Sequence, residues 1–291
     1  MKKLFLIPIA LLLIISCSEP NSVFFVDPYL SEVLDSEKNI ARRITGINRR
    51  YEEEIQVVPL DLNSSFTDQI SAFLENNPFT VVFLGPFPGK TVPEISNSYP
   101  ETLFTVIGAD FNSLEENIVY VITDRTEAFR SAGLYARDYL DNWDESGSAA
   151  IGVYFTVDSP ERERELQAFL EGAGEVVLHD FKGRPNRNSL LSLINADLAA
   201  GISLFLFACP DFNSFCLETA LEEEGNRIIT ENWNSLDYFS ENIIASIEEN
   251  PYIGIEGMLM IRESSDFPKK IVVPAEVVDG YGKPLPRQKK D

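Results

Sequence analysis

The side chains that most enzymes use for chemistry are scarce in this sequence. His179 is the single histidine, and Cys17, Cys209 and Cys216 are the three cysteines. One histidine without a companion cluster of His and Cys does not make a zinc site. A nucleophile–histidine–acid triad would have to be built on His179, and no G-x-S-x-G supplies its serine. Neither G-x-x-x-x-G-K-[ST] nor G-x-G-x-x-G occurs, so no glycine-rich loop is marked to cradle phosphates. A hydrolase would need two facing carboxylates, and no spacing marks such a pair. The chain is therefore expected not to be an enzyme and to need neither cofactor nor metal. His179, near a strand end, is expected at the surface. Cys209 ends an apolar strand and Cys216 lies in the following helix; they could pair in an exported protein or stay free and buried.

The chemistry of Cys17 is of another kind. Met1-Lys2-Lys3 is a short cationic start, Leu4 to Ile15 is almost wholly apolar, and Ser16-Cys17 closes the segment. That is the pattern of a secretory signal, too short for an ordinary membrane span. Leu13-Ile14-Ile15-Ser16-Cys17 resembles the lipobox of bacterial lipoproteins, with Ile15 larger than the residue usual before the serine. The resemblance implies that residues 1–16 are removed and that Cys17 carries the lipid, with residues 17–22 as a tether. Three acyl chains exceed the two signals that stable anchoring needs. The expected location is a bacterial cell envelope, lipid-anchored on the periplasmic or surface face. A plain signal peptide cut nearby, or an uncleaved anchor, is the alternative.

Loss of Lys2 and Lys3 with the leader takes the formal charge from −22 to −24. So acidic a chain is no nucleic-acid partner, and it gains no second attachment to anionic lipid. The acids are scattered along amphipathic stretches and read mostly as solvated helix faces. With 44% hydrophobic residues, the remaining chain can bury a core sufficient for two domains or one large α/β unit.

Those residues must be positioned by strands and helices that alternate along the chain. Val23–Val26, Ile55–Leu60, Thr80–Leu84, Leu103–Ile107 and Ile118–Ile122 read as short apolar strands, with helices over Ser31–Tyr51 and Phe66–Glu75. The pattern restarts near residue 124, with helices over Glu127–Trp143, Pro160–Glu171, Asn188–Ala199, Ser214–Glu224 and Tyr252–Ile261. The strands among them are Ala149–Phe155, Val176–Leu178, Ile202–Phe207, Arg227–Thr230, Ile243–Ile247 and Ile271–Val273. Continuous apolar strands alternating with helices mean parallel sheets covered on both faces. The preferred reading is α/β, two doubly wound Rossmann-like lobes; a TIM barrel fits the pattern too.

Three stretches carry a family resemblance. Val121-Ile122-Thr123-Asp124-Arg125-Thr126-Glu127-Ala128 resembles a strand ending in Asp-Asn before a helix with small residues. Ser159-Pro160-Glu161-Arg162-Glu163-Arg164-Glu165-Leu166 resembles an Arg-x-x-Gly-aromatic helix start. Ala245-Ser246-Ile247-Glu248-Glu249-Asn250-Pro251-Tyr252, with Val272 to Val278 after it, resembles Ser-Ile-x-Gln-Asn-Pro-Tyr followed by a Pro-x-Glu-Leu-Val strand. In this order they resemble the type I periplasmic-binding-protein superfamily, over residues 23–279. The resemblance implies a first lobe of 22–123 plus 235–262 and a second of 124–234 plus 263–279. The lobe crossings would fall near Asp124, Ser235 and Glu263, and 280–291 would be a loose tail. Tyr99 through Ala136 is also similar to the basic-membrane-lipoprotein branch, whose members are nucleoside receptors; that branch carries Asp-x-Ser-Phe-Asn where this chain has Asp27-Pro28-Tyr29-Leu30.

The resemblance also implies a ligand between the lobes, at the C-terminal ends of strands. The positions it singles out are Asp27, Tyr29, Phe87, Asp110, Asp124, Arg125, Arg162, Asp211, Phe212, Trp233 and Glu249. Carboxylates and guanidinia would clamp hydroxyls there, and rings would offer a flat face. Arg125 stands where the family has Asn, Glu165 where it has Gly, and Glu249 where it has Gln. These charges suggest a ligand other than a neutral sugar, or a cleft that no longer binds one. The expected function is capture of a small polar, sugar- or nucleoside-like ligand for an ABC transporter permease or a membrane sensor. The alternative is a degenerate binding fold serving as a surface interaction or envelope scaffold protein. A LacI-type repressor is excluded by the leader and by the lack of N-terminal DNA-binding helices.

Overall fold

A computed structural model describes residues 21–27, 30, 37–111, 115–142, 150–210, 212–231, 241–262, 268–280 and 282–285. The leader with Cys17, and Tyr29, Asp211, Trp233, Ser235 and Glu263, lie outside the described residues. The chain divides into two compact units, 1–122 with 251–271 and 123–250 with 272–291.

The sheet that begins in the first unit runs β11-β5-β4-β3-β1-β2. Its strands are β1 Ser22–Val26, β2 Ile55–Pro59, β3 Val81–Leu84, β4 Leu103–Ile107, β5 Ile118–Asp124 and β11 Lys270–Pro274. The pairs β1/β2, β1/β3, β3/β4 and β4/β5 are parallel. β1 and β3 are buried along their whole length, whereas edge strand β2 is only partly buried. Continuous apolar runs thus sit in the middle of the sheet, where both faces are covered. Helices α1 (Glu37–Tyr51) and α2 (Phe66–Asn76), the short α3 (Pro86–Gly89) and α4 (Val92–Ile95), and α9 (Pro251–Ile261) complete the unit. α2 is started by Ser65, whose hydroxyl accepts from the Asp68 amide at 3.3 Å, and it buries Ile70 and Leu74, one turn apart.

The second sheet repeats the order: β12-β10-β9-β8-β6-β7. Here β6 is Ile151–Thr156, β7 Val176–Phe181, β8 Leu204–Ala208, β9 Arg227–Glu231, β10 Ile243–Glu248 and β12 Glu276–Val278. Neighbours are parallel except β12, which runs antiparallel to β10. Helices α5 (Thr126–Asn142), α6 (Pro160–Ala173), α7 (Arg187–Ala199) and α8 (Asn213–Ala220) connect these strands. α5 and α6 touch almost backbone to backbone. A Cβ on Gly133 would lie 2.3 Å from the Phe169 carbonyl oxygen, and one on Gly172 2.7 Å from that of Arg130. The core beneath them is built on Phe129, Phe155 and Phe169, all fully buried.

Two open sheets replace the barrel alternative. The boundaries differ from those expected. β10 pairs with β9 in the second sheet, so 241–250 belong to the second unit, and 268–271 belong with the first. The physical reason is that strand pairing fixes membership, and the sequence pattern locates strands without naming their neighbours. Cys209 and Cys216 are both free and buried. Burial pushes the Cys209 thiol up to about 11 and raises Cys216 as well, so both stay protonated. Among the described residues no helix is long and apolar enough to cross a membrane.

Candidate functional site

The second sheet gathers charge at the C-terminal ends of its strands. Ser159 caps α6 by accepting from the Arg162 amide at 3.2 Å, and Pro160 sits at the first helical position. That start places Arg162 one turn into α6, beside the ends of three strands. Its Nε donates to the Thr156 carbonyl at the end of β6 (3.2 Å), and Nη2 to the Ala208 carbonyl at the end of β8 (2.8 Å). Nη1 donates to Glu165 at 2.7 Å and to Glu231 at 2.9 Å, and Nη2 also reaches Glu231 at 3.3 Å. Five donor groups meet five acceptor contacts.

Arg125 joins the same cluster from the first turn before α5. It pairs with Glu231 through Nη2 and with Glu249 through Nη1 at 3.1 Å, and its Nε lies 3.5 Å from Glu165. The guanidinium carbons of Arg125 and Arg162 lie 5.1 and 5.7 Å from the Phe129 ring centroid, and that of Arg162 lies 4.2 Å from Phe155. Exposure falls inward through the cluster, from 24% for the Glu249 side chain to 13% for Arg125, 12% for Arg162 and 3% for Glu231.

The two inner carboxylates respond oppositely. Burial would raise Glu231, but Arg125 and Arg162 outweigh it and hold its pKa below the usual carboxylate range. Burial raises Glu165; Arg125 and Arg162 offset that only in part, and the like charge of Glu231 adds to the rise. Burial works against Arg125, yet Glu231, Glu165 and Glu249 raise its pKa, so it is permanently charged.

Of the positions expected in a site, Arg125, Arg162 and Glu249 are brought together. Asp124 is exposed, and its Oδ1 accepts from the Thr126 amide at 3.0 Å, which makes it a helix cap. It falls in the second unit with Arg162, so the two do not belong to separate units. Phe212 stands at the start of α8 with the Arg184 guanidinium 5.4 Å from its ring. In the first unit, Asp27 is fully buried and accepts from the Leu30 amide at 3.1 Å. A Cβ on Gly85 would come within 2.7 Å of its Oδ2. Phe87 is exposed and has the Lys90 ammonium 5.5 Å from its ring. Asp110 pairs with Lys270 at 2.8 Å. Glu231, the hub of the cluster, was not among the expected positions. Its one signal is that an apolar strand, Arg227–Glu231, ends on an acid.

His179 is not the exposed residue expected. Its Nε2 lies 2.9 Å from Asp197 Oδ2, which also accepts from the buried Tyr154 hydroxyl at 2.7 Å. Burial, then the bond to Asp197, raises the Tyr154 pKa. Elsewhere in the second unit a cavity of about 540 Å³ is lined by Glu127, Tyr135, Pro274, Val277 and Leu285, and it includes none of the five charged residues. Among the described residues no group of His, Cys, Asp and Glu is arranged to hold a metal ion.

Neither a protein-family model nor a curated protein sequence matches the chain. Solved structures do. A solute-binding protein of an ABC transporter system from Aeropyrum pernix aligns with a TM-score of 0.60 at 16% identity, over 89% of this chain and 77% of that one. A periplasmic ribose ABC transporter protein from Conexibacter woesei aligns at 0.59 and 14%, over 90% and 93%. A transcriptional activator of the comK gene from Bacillus halodurans aligns at 0.63 and 13%, over 87% and 86%. The fold is that of the type I periplasmic binding proteins.

Proposed function

We propose that this chain, with its type I periplasmic-binding-protein fold, is a non-catalytic, lipid-anchored solute-binding protein of a bacterial cell envelope. It captures a small polar ligand and passes it, or news of it, to an ABC transporter permease or a membrane sensor. The observation that supports this best is the Arg125–Arg162–Glu231–Glu249 cluster. It lies outside the carboxyl ends of a doubly wound sheet, where open α/β folds take their ligands. The neighbours described as solute-binding and ribose-transport proteins point the same way. The lipobox-like Leu13–Cys17 supports anchoring at Cys17. The experiment is native mass spectrometry of the chain purified without denaturation, followed by thermal-shift screening. A co-purified small molecule, or a compound that raises the melting temperature with rising concentration, is the expected result.

One observation favours a second reading, an envelope scaffold with a degenerate site. Every donor of Arg162 is already met by the chain itself. If no compound binds and the chain instead co-purifies with an envelope protein, this second reading replaces the first.

A further inference from the structure

A formal charge of −22 averages over faces that differ, and α1 departs from the average. This helix holds five of the chain's 24 cationic residues and one acid. Arg42 and Arg49 stand two helical turns apart, as do Arg43 and Arg50. The four therefore share one exposed face, opposite the buried Ile40, Ile44 and Ile47. Arg43 lies over the Tyr252 ring at 5.1 Å, and Arg50, 63% exposed, pairs with Glu256 of α9. Among the described residues Arg42 and Arg49 make no ion pair. In the turn after the helix Glu53 is tied to Arg262 and Ser22, while Glu52 and Glu54 are exposed beyond the last arginine.

The anchor residue attaches at the same edge of the first unit. Ser22 opens β1 in register with Ile55, the first residue of β2, and its hydroxyl donates to Glu53 at 3.5 Å. Since α1 ends at Tyr51 and feeds β2, its last turn lies at the end of the sheet where Ser22 lies. Cys17 is five residues before Ser22, a reach of at most about 18 Å. A lipid on Cys17 would thus hold this edge close to a bilayer. Met260, 68% exposed near the end of α9, belongs to the same edge, because Arg262 closes on Glu53.

Salt screens exposed charges beyond about 8–10 Å, so the face nearest the bilayer decides the interaction. Guanidinium donors match phosphate oxygens in geometry as well as charge. The rest of the chain is more acidic still than the whole, so anionic lipid repels it and favours the orientation with α1 turned inward.

Resting on the anchoring at Cys17 proposed above, we infer that the arginine face of α1 docks on the bilayer, where anionic phospholipid headgroups receive it and fix the orientation of the first unit at the membrane.

The test uses the lipidated chain in vesicles of phosphatidylcholine alone, or with one third phosphatidylglycerol. Gly46, whose Cβ position meets nothing within 4 Å, lies between the arginine rows and takes a fluorophore as Gly46→Cys; Cys209 and Cys216 are buried from the reagent. A spin-labelled headgroup lipid should quench it in the phosphatidylglycerol vesicles and much less in phosphatidylcholine. Each arginine near an anionic surface contributes about fivefold, so Arg42→Glu with Arg49→Glu should lower the docked population by about tenfold or more. Arg137→Glu with Arg164→Glu, an equal charge change on exposed side chains of α5 and α6, should leave the quenching unchanged. Equal quenching in the two vesicle types, or equal loss in the two double variants, would overturn headgroup docking and leave the anchoring standing. A chain that does not float with either vesicle would overturn both.

Discussion

Glu231 takes Arg162 in a two-point fork: Oε2 is 2.9 Å from Nη1 and Oε1 is 3.3 Å from Nη2. The last residue of β9 is thereby tied to the first turn of α6, and Arg125 closes on the same carboxylate from the start of α5. Removing Glu231 would leave two guanidinia in a largely dry place. Glu231→Ala should lower stability by about 3–5 kcal/mol, the cost of breaking a buried pair by deleting one partner. Urea unfolding with an unchanged slope would measure it; a loss under about 1 kcal/mol would mean the network is solvated.

Glu165 and Glu231 predict opposite responses to acid. The Glu165 pKa is raised in the fold, so the folded chain takes this proton first as pH falls, above the ordinary carboxylate range near about 4.3. Through that window wild-type stability, measured against Glu165→Gln, should rise. The Glu231 pKa is lowered, so its contribution is complete above the ordinary range and is lost below it. Melting temperatures of wild type, Glu165→Gln and Glu231→Gln between pH 7 and pH 3 would separate the two. Parallel curves for wild type and Glu165→Gln would contradict the assignment.

The α5–α6 contact leaves no room for a methyl group at Gly133, since a Cβ there would meet backbone 2.3 Å away. Gly133→Ala should cost about 1–3 kcal/mol or more, against the gain that alanine normally brings to a helix. Gly257, with nothing within 4 Å of its Cβ position in α9, is the control. Gly257→Ala should be neutral or stabilising in the same thermal assay.

Asp197 satisfies Tyr154 and His179 together. Asp197→Ala should cost about 1–3 kcal/mol for the buried Tyr154 hydroxyl left without its bond, and less for the half-buried His179. Asp197→Asn, which can still accept from the tyrosine, should cost less. Similar losses for both variants, by urea titration, would mean that the acceptor is not what matters.

Cys17 carries the anchoring proposal. Cys17→Ser should abolish labelling by a fatty-acid analogue and move the chain from the detergent phase to the soluble or secreted fraction. Unchanged partitioning of that variant would remove lipidation from the reading.

Local order was written plainly in the residues. The apolar runs at Val23–Val26, Val81–Leu84 and Leu204–Phe207 could only be interior parallel strands, and Ser65 and Ser159 mark helix starts that the fold uses as caps. Alternation of strand and helix fixed the fold class, because periodicity depends on neighbours within a dozen residues. The short helices α3 and α4 escaped that reading, being only four residues long, and the strand β12 was legible only through the family resemblance of Val272 to Val278. Arg125, Arg162 and Glu249 were legible as charges at strand ends.

What they do there was not legible. A list of charged residues does not say that Glu231, 106 positions from Arg125 and 69 from Arg162, closes on both. Nor does it say that β10 pairs in the second sheet, or that the lone histidine is tied to Asp197 of α7. Those relationships depend on which strands become neighbours, and neighbours are chosen by packing across the whole sheet. The sequence by itself determined the elements and the inventory of charge. Only the tertiary structure decided that the arginines are already spent on the protein's own carboxylates, because burial turns charges that water would keep apart into fixed pairs.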